Sequence, residues 1–161
     1  MKLLPRSVIS FAALPGIVAF VVPLLLIPRR NAVFNAVAIG PLGAGMFVLL
    51  WCVRDFHVRG LGTLAPWDPP RRLVITGLYR YSRNPMYVGV LLVLFGWAAA
   101  FASRGHLAYA VVMCVVFHLR VVFYEEPWLS GTHGAEWTRY RARVNRWFGT
   151  KTGLASHGNK S

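Results

Sequence analysis

Residues 86–124 read MYVGVLLVLFGWAAAFASRGHLAYAVVMCVVFHLRVVFY. Two apolar runs, 86–103 and 106–124, are parted by Arg104 and Gly105 alone, which is too little chain for anything but a tight helical hairpin. Each run approaches the ~20 mostly apolar residues that a membrane-spanning helix needs. His118 and Arg120 fall inside the second. Moving outward, residues 8–27 (VISFAALPGIVAFVVPLLLI) and 32–53 (AVFNAVAIGPLGAGMFVLLWCV) are apolar and uncharged. The expected fold is therefore all-α, an integral membrane bundle of four spans. Pro15, Pro23 and Pro41 would break soluble helices, but in a membrane neighbouring helices can satisfy the freed carbonyls. A signal peptide fits the first run less well. It exceeds the usual h-region of about 7 to 15 residues, and Pro28, Arg29 and Arg30 follow it instead of a small-residue cleavage site.

Composition agrees. Of 161 residues 56 % are hydrophobic and only 14 % charged, against roughly 25 % in soluble domains. A net charge of +13 would suit nucleic acid, yet its distribution follows topology. Fourteen of the eighteen basic residues lie in the amino terminus, the central segment and the tail. Arg29, Arg30 and Arg104 fall on the other side, and Arg120 lies within a span. The positive-inside rule then puts both termini and the central segment in the cytoplasm, at the inner membrane if the cell is bacterial. No nucleic-acid partner is needed to explain the charge. Cys52 and Cys114 sit in apolar runs and read as reduced core residues. The five histidines are scattered without ligand spacing, so no metal site is expected.

The chain divides into two amino-terminal spans (1–53), a cytoplasmic loop (54–85), the hairpin (86–126), an amphipathic tail helix (127–149) and a polar tail (150–161). Gly60, Gly62, Pro66, Pro69, Pro70 and Gly77 preclude a long helix in the loop. Its tyrosines and arginines before the hairpin have the composition of an interfacial belt, and Asn84 and Pro85 suit the cap and first turn of a helix. Glu125 and Glu126, two of only five acids, are harder to place. Adjacent carboxylates repel, and a helix C-terminus disfavours them further. Either they neutralise arginines such as Arg120 or Arg83, or they accept hydrogen bonds from a ligand's hydroxyl or ammonium groups. In the tail, Trp137, Tyr140, Val144 and Trp147 or Phe148 recur at helical spacing among Arg139, Arg143 and Arg146. That pattern suits a helix on the inner leaflet and equally a lid over the loop.

The stretch GLYRYSRNPMYVG (77–89), an apolar hairpin, YEEPWL (124–129) and the Gly134-x-x-Trp137-x-x-Tyr140-x-x-x-Val144-x-Arg146-Trp147 pattern together resemble the membrane-embedded methyltransferases. That superfamily includes the isoprenylcysteine carboxyl methyltransferases and the phospholipid methyltransferases. The resemblance implies S-adenosylmethionine at the cytoplasmic end of the hairpin, held by Tyr79, Arg83, Asn84, Pro85, Tyr87, Gly89, Glu125 and Glu126, with a lipophilic substrate arriving laterally. Many carboxyl methyltransferases of the group carry His in place of Asn84, and Arg four residues before the first glutamate, where this chain has Val121. Arg120 is one residue out of that register, about 100° around an α-helix.

The residues suit methyl transfer in their own right. Carboxylates can bind the cofactor's ammonium and ribose hydroxyls, Arg83 or a tail arginine its carboxylate, and the tyrosines its adenine. Orientation and water exclusion then carry much of the catalysis, with Glu125 or Glu126 as the base if the acceptor is an ammonium. Arg139, Tyr140 and Arg143 are the expected substrate-binding groups, which slightly favours a lipid-like carboxylate acceptor over an amine. Two other classes remain: a non-catalytic scaffold or lipid- or haem-binding protein, and a nicotinamide-dependent membrane reductase.

Overall fold

The computed structural model describes residues 12–27, 34–59 and 73–151, and every regular element among them is helical. A π-helical stretch, Ala12–Val21, runs into a short helix, α1 (Val22–Leu25). A 3-10 turn (Ala36–Ala38) opens α2 (Ile39–Arg59), and another (Gly77–Arg80) precedes α3 (Pro85–Phe101). Then α4 (Arg104–Arg120) continues through a π-helical turn, Val121–Glu125, into α5 (Glu126–Arg143). Residues 8–11 of the first expected span, 60–72 of the central loop and 152–161 of the polar tail lie outside the described residues.

Among the described residues, two helices are long and apolar enough to cross a bilayer. One is Ala36–Asp55, of mean hydropathy 2.1; the other is Arg104–Arg143, whose most apolar window reaches 2.0. The apolar helices Pro15–Leu25 and Pro85–Phe101 are shorter. The 17 residues of α3 rise about 26 Å. The hairpin link also sits two residues earlier than expected. Ala102 takes the left-handed conformation (φ 45°), and Ser103 caps α4 by accepting from the His106 N–H at 3.4 Å. Arg104 and Gly105 belong to α4, because a serine cap satisfies a helix's free N–H groups better than either could.

Small residues hold α2 against α3. A Cβ on Gly45 would lie 2.8 Å from the Gly89 carbonyl, one on Gly89 3.0 Å from Leu49, and one on Gly96 2.7 Å from Leu42. Backbones can approach this closely only where side chains are absent, as membrane helices commonly do. Around the contact Leu49, Val90, Val93, Leu94, Ala110 and Phe117 form the core, which Ala19 of the first segment joins.

In the proline-broken first segment, side chains of α3 and α4 meet the freed carbonyls. Pro23 has no N–H for the carbonyls four and five residues before it. Trp97 Nε1 donates to the Ala19 carbonyl at 3.0 Å, and the Tyr109 hydroxyl to that of Val18 at 3.2 Å. His106 Nε2 lies 2.9 Å from the Pro23 carbonyl.

The tail departs most from expectation. Helix α5 kinks at Gly134 (φ 45°, ψ −115°) and ends at Arg143, after which Val144 bridges Thr150 and the Lys151 N–H returns to the Arg143 carbonyl at 2.8 Å. Trp137, Tyr140 and Val144, expected on a lipid-facing stripe, are buried together with Leu73 and Leu129 beside them. Trp147 packs on the core and stacks with His118 at 6.0 Å. The apolar face of the tail is thus satisfied by the protein, while Phe148 remains exposed.

Candidate functional site

Three segments meet at the end of the hairpin that carries Glu125 and Glu126: the loop running from Gly77 into α3, the π turn, and the returning tail. The loop is tied to the tail by backbone and side chain alike. The Arg83 N–H donates to the Asn145 carbonyl at 3.1 Å, and the Tyr140 hydroxyl to the Tyr79 carbonyl at 2.7 Å. Asn84 stands at the cap position of α3, but its amide does not cap. Instead Nδ2 donates to the Arg146 carbonyl at 3.1 Å, and Ser82 Oγ accepts from the Asn84 N–H at 3.1 Å. Pro85 is buried in the first turn, where its missing N–H costs nothing.

The two glutamates have separate partners. Glu126 Oε1 accepts from Arg83 Nη1 at 2.9 Å and from Arg146 Nε at 2.7 Å, while Oε2 accepts from Arg146 Nη2 at 2.9 Å. Burial pushes the Glu126 carboxyl up, but the Arg146 hydrogen bonds and the two guanidinium charges outweigh it and hold the group below the usual carboxylate range. Burial also lowers the Arg83 guanidinium from its ordinary value, against the pull of Glu126. Glu125 Oε1 accepts from the Tyr87 hydroxyl and from Arg120 Nε, the latter at 2.9 Å, and Oε2 accepts no hydrogen bond among the described residues. The pair thus neutralises Arg83, Arg120 and Arg146, and one Glu125 oxygen stays without a partner.

The register of Arg120 is explained by the turn it precedes. A π turn spaces facing residues five apart, so Arg120 meets Glu125 although an α-helix would turn it away. Val121, at the four-residue position, is fully buried.

Among the described residues two buried donors lack acceptors: Arg83 Nε and Trp137 Nε1. The Arg83 guanidinium carbon lies 5.4 Å from the centre of the Trp137 ring. Such unpartnered donors are rare, since leaving a donor buried without an acceptor costs roughly 1–3 kcal/mol.

Arg83, Asn84, Tyr87, Glu125 and Glu126 are brought into one constellation. Other residues named from sequence face elsewhere. Gly89 lies against α2, where Leu49 and Val48 occupy the space a side chain would need. Tyr79 is buried, with its phenol hydrogen-bonded to Cys52 of α2. Arg139 and Arg143 are exposed on α5, and Arg139 Nε turns to the Ala135 carbonyl at 3.4 Å. Tyr140 is buried on a different face of that helix, so the three do not form one recess. Arg146 and Trp137 are the residues that sequence reasoning missed as site members. Both appeared as parts of a periodic stripe, and nothing in local spacing ties Arg146 to a carboxylate twenty residues earlier.

A sequence model described as phospholipid methyltransferase matches residues 35–136, well over half of the chain and including both glutamates. The chain belongs to the phospholipid methyltransferase family. None of the curated proteins and none of the solved structures compared with it matches. Membership in the phospholipid methyltransferase family points to methyl transfer to a lipid, and the apolar helices to a membrane setting. The family match starts just before α2 and stops at residue 136. Trp137 and Arg146, in the tail half of the constellation, lie beyond the matched residues.

Proposed function

We propose that the protein transfers a methyl group from S-adenosylmethionine to a membrane-embedded amphiphile, at a site on the cytoplasmic face. The reading rests on one observation: Arg83, paired with Glu126, and Trp137 beneath it carry unpartnered donors, and Glu125, next to Glu126 in the chain, has an unused oxygen. That set complements a zwitterionic amino-acid end, whose carboxylate would take the Arg83 and Trp137 N–H groups and whose ammonium would take Glu125 Oε2. When bound, the cofactor supplies a methyl group made electrophilic by its sulfonium.

The residues present do the rest. Arg120 and Tyr87 fix the Glu125 carboxylate so that one oxygen faces a ligand. Arg146 and Arg83 hold the tail over the loop through Glu126, shielding the constellation from water. Glu125 is also the acid best placed to take a proton from an ammonium acceptor. In this reading four apolar segments span the bilayer, with the Gly77–Pro85 loop and the tail cytoplasmic. An acceptor with a carboxylate would rely on the exposed Arg139 and Arg143, which first requires them to be drawn into the site. Isothermal calorimetry of the detergent-solubilised protein with S-adenosylmethionine, its demethylated product and a nicotinamide dinucleotide tests the assignment. Binding of the first two and not the third is expected; the reverse preference would transfer the site to the reductase class.

A further inference from the structure

Helix α2 is apolar for most of its length, but where it meets the Gly77–Arg80 turn it buries Cys52 and Asp55, three residues apart and so on one face. Both receive the loop. The Tyr79 phenol is hydrogen-bonded to Cys52. Asp55 lies against Gly77, whose φ of 61° is a left-handed setting that a side chain would strain. A Cβ built on Gly77 would overlap Asp55 Oδ2 and come within 2.8 Å of its Cγ, so the carboxyl fills the space left by the missing side chain. Stability alone does not favour this contact. Asp55 is 1 % exposed, and among the described residues its Oδ2 has no hydrogen-bond partner. Arg54 Nη1 stands 3.7 Å from the other oxygen, too long for a hydrogen bond, on a side chain that is 67 % exposed. A carboxylate so placed weakens a fold, and an apolar residue could fill the same space at lower cost. What the carboxyl does have is position. Thr76, at the cap of the turn, offers no side-chain hydrogen bond to the N–H groups that open it, and Asp55 stands at that same end.

We propose that Asp55 is a positioning residue for the constellation: it seats the loop on α2 and so sets where Arg83 and Asn84 stand. The link from seat to site is short and stiff. The Tyr81 and Ser82 N–H groups both return to the Leu78 carbonyl, at 3.0 and 3.2 Å, and the Arg83 N–H is tied to the Asn145 carbonyl. Ser82 Oγ then accepts from the Asn84 N–H, so no unbonded stretch of backbone separates the turn from the start of α3. From the other side the Tyr140 hydroxyl of α5 holds the Tyr79 carbonyl. The turn is thus clamped between α2 and α5, and a shift at Gly77 is passed on to the Arg83 guanidinium and the Asn84 amide. A misplacement of this kind weakens binding and turnover without removing any group that touches a ligand. As a determinant of cofactor affinity Asp55 rests on the methyltransferase reading; as the seat of the loop it does not.

Two measurements on the full chain in detergent test the proposal: deuterium exchange without added ligand, read by mass spectrometry, and calorimetry with S-adenosylmethionine. Asp55→Ala empties the seat. Exchange should quicken in the peptide that holds the Tyr81, Ser82 and Arg83 amides and stay unchanged along α3. Affinity for S-adenosylmethionine should fall about tenfold, a difference of ~1.4 kcal/mol. The melting temperature should hold, because loss of an unpartnered buried carboxylate offsets the space opened. Asp55→Asn keeps the shape and should restore both exchange and affinity. Gly77→Ala, made alone and in the Asp55→Ala background, should cost more affinity where the carboxyl is present, since only there does the new methyl group meet Oδ2. A lower melting temperature with affinity unchanged in Asp55→Ala would make Asp55 structural and overturn the proposal, as would additive effects of the two substitutions on affinity. Should Asp55→Ala fail to fold, Gly77→Ala alone decides, and unchanged exchange and affinity in that variant overturn the seat. The two readings fail separately. Quickened exchange in Asp55→Ala with no cofactor binding by the wild type sinks the methyltransferase assignment alone, and wild-type binding that Asp55→Ala leaves untouched sinks the positioning role alone.

Discussion

Glu126 accepts three hydrogen bonds from two arginines, whereas Glu125 keeps one oxygen free, and substitution should separate their roles. Glu125→Gln is expected to weaken S-adenosylmethionine binding by one to two decades, the loss of a charge-assisted hydrogen bond of about 1.5–3 kcal/mol, with little change in melting temperature. Glu126→Gln should instead loosen the tail, read as faster proteolysis after Arg143 and a lower melting temperature. Equal effects of both variants on binding and stability would dissolve the distinction. Acid should mimic the second variant. Because the folded Glu126 carboxyl is held below its ordinary value, its contribution is complete above an unfolded pKa of about 4.3 and disappears as pH falls through the lower folded value. Tail release on acidification, followed by protease sensitivity, should therefore occur below that value and lose its pH dependence in Glu126→Gln. At this scale the sequence was legible where chemistry is local. Two adjacent acids at a helix end in so basic a chain announced themselves. Arg146 and Trp137 did not, because their partners lie across the tail's return, which depends on a kink at Gly134 and a bridge from Val144 to Thr150.

Helices and hairpin were legible from run length and polarity, but the widened turn at Val121–Glu125 was not, since no residue type encodes one. It decides which arginine serves Glu125. Arg120→Gln should lower cofactor affinity, and moving the arginine to the four-residue position, as in the double variant Arg120→Val with Val121→Arg, should not restore it. The new guanidinium would enter the fully buried site of Val121, and the melting temperature should fall as well. Recovery of binding in that variant would mean the wide turn is absent in solution. The α2–α3 contact carries a parallel expectation. Gly89→Ala introduces a methyl group 3.0 Å from both Leu49 and Val48 and should destabilise the fold by about 1–3 kcal/mol, measured by thermal unfolding in detergent. If this substitution altered only cofactor affinity, Gly89 would belong to the site after all.

For the molecule as a whole, the distribution of basic residues predicts an orientation that single cysteines can test. With Cys52 and Cys114 replaced, cysteines at Arg80 or Thr150 should resist an impermeant thiol reagent in intact cells, while one at the hairpin link residue Ala102 should react. Labelling at Arg80 from outside would invert the bundle. Charge counting yields an expected topology because basic residues stay on the side where they are synthesised. It could not reveal that the tail's aromatic stripe turns inward onto Leu73 and Leu129, because periodicity marks an apolar face without naming what covers it. The first segment has one more property that follows from how its broken backbone is met. Trp97, Tyr109 and His106 reach three of its carbonyls, and in a membrane such links contribute roughly 0.6 kcal/mol each on average while admitting one rotational setting. The segment is thus addressed to its place by partners elsewhere in the chain. Co-expressed as two fragments divided between residues 27 and 34, the halves should reassemble and copurify, and replacing Trp97 and Tyr109 by phenylalanine should abolish that reunion while sparing the covalently joined protein.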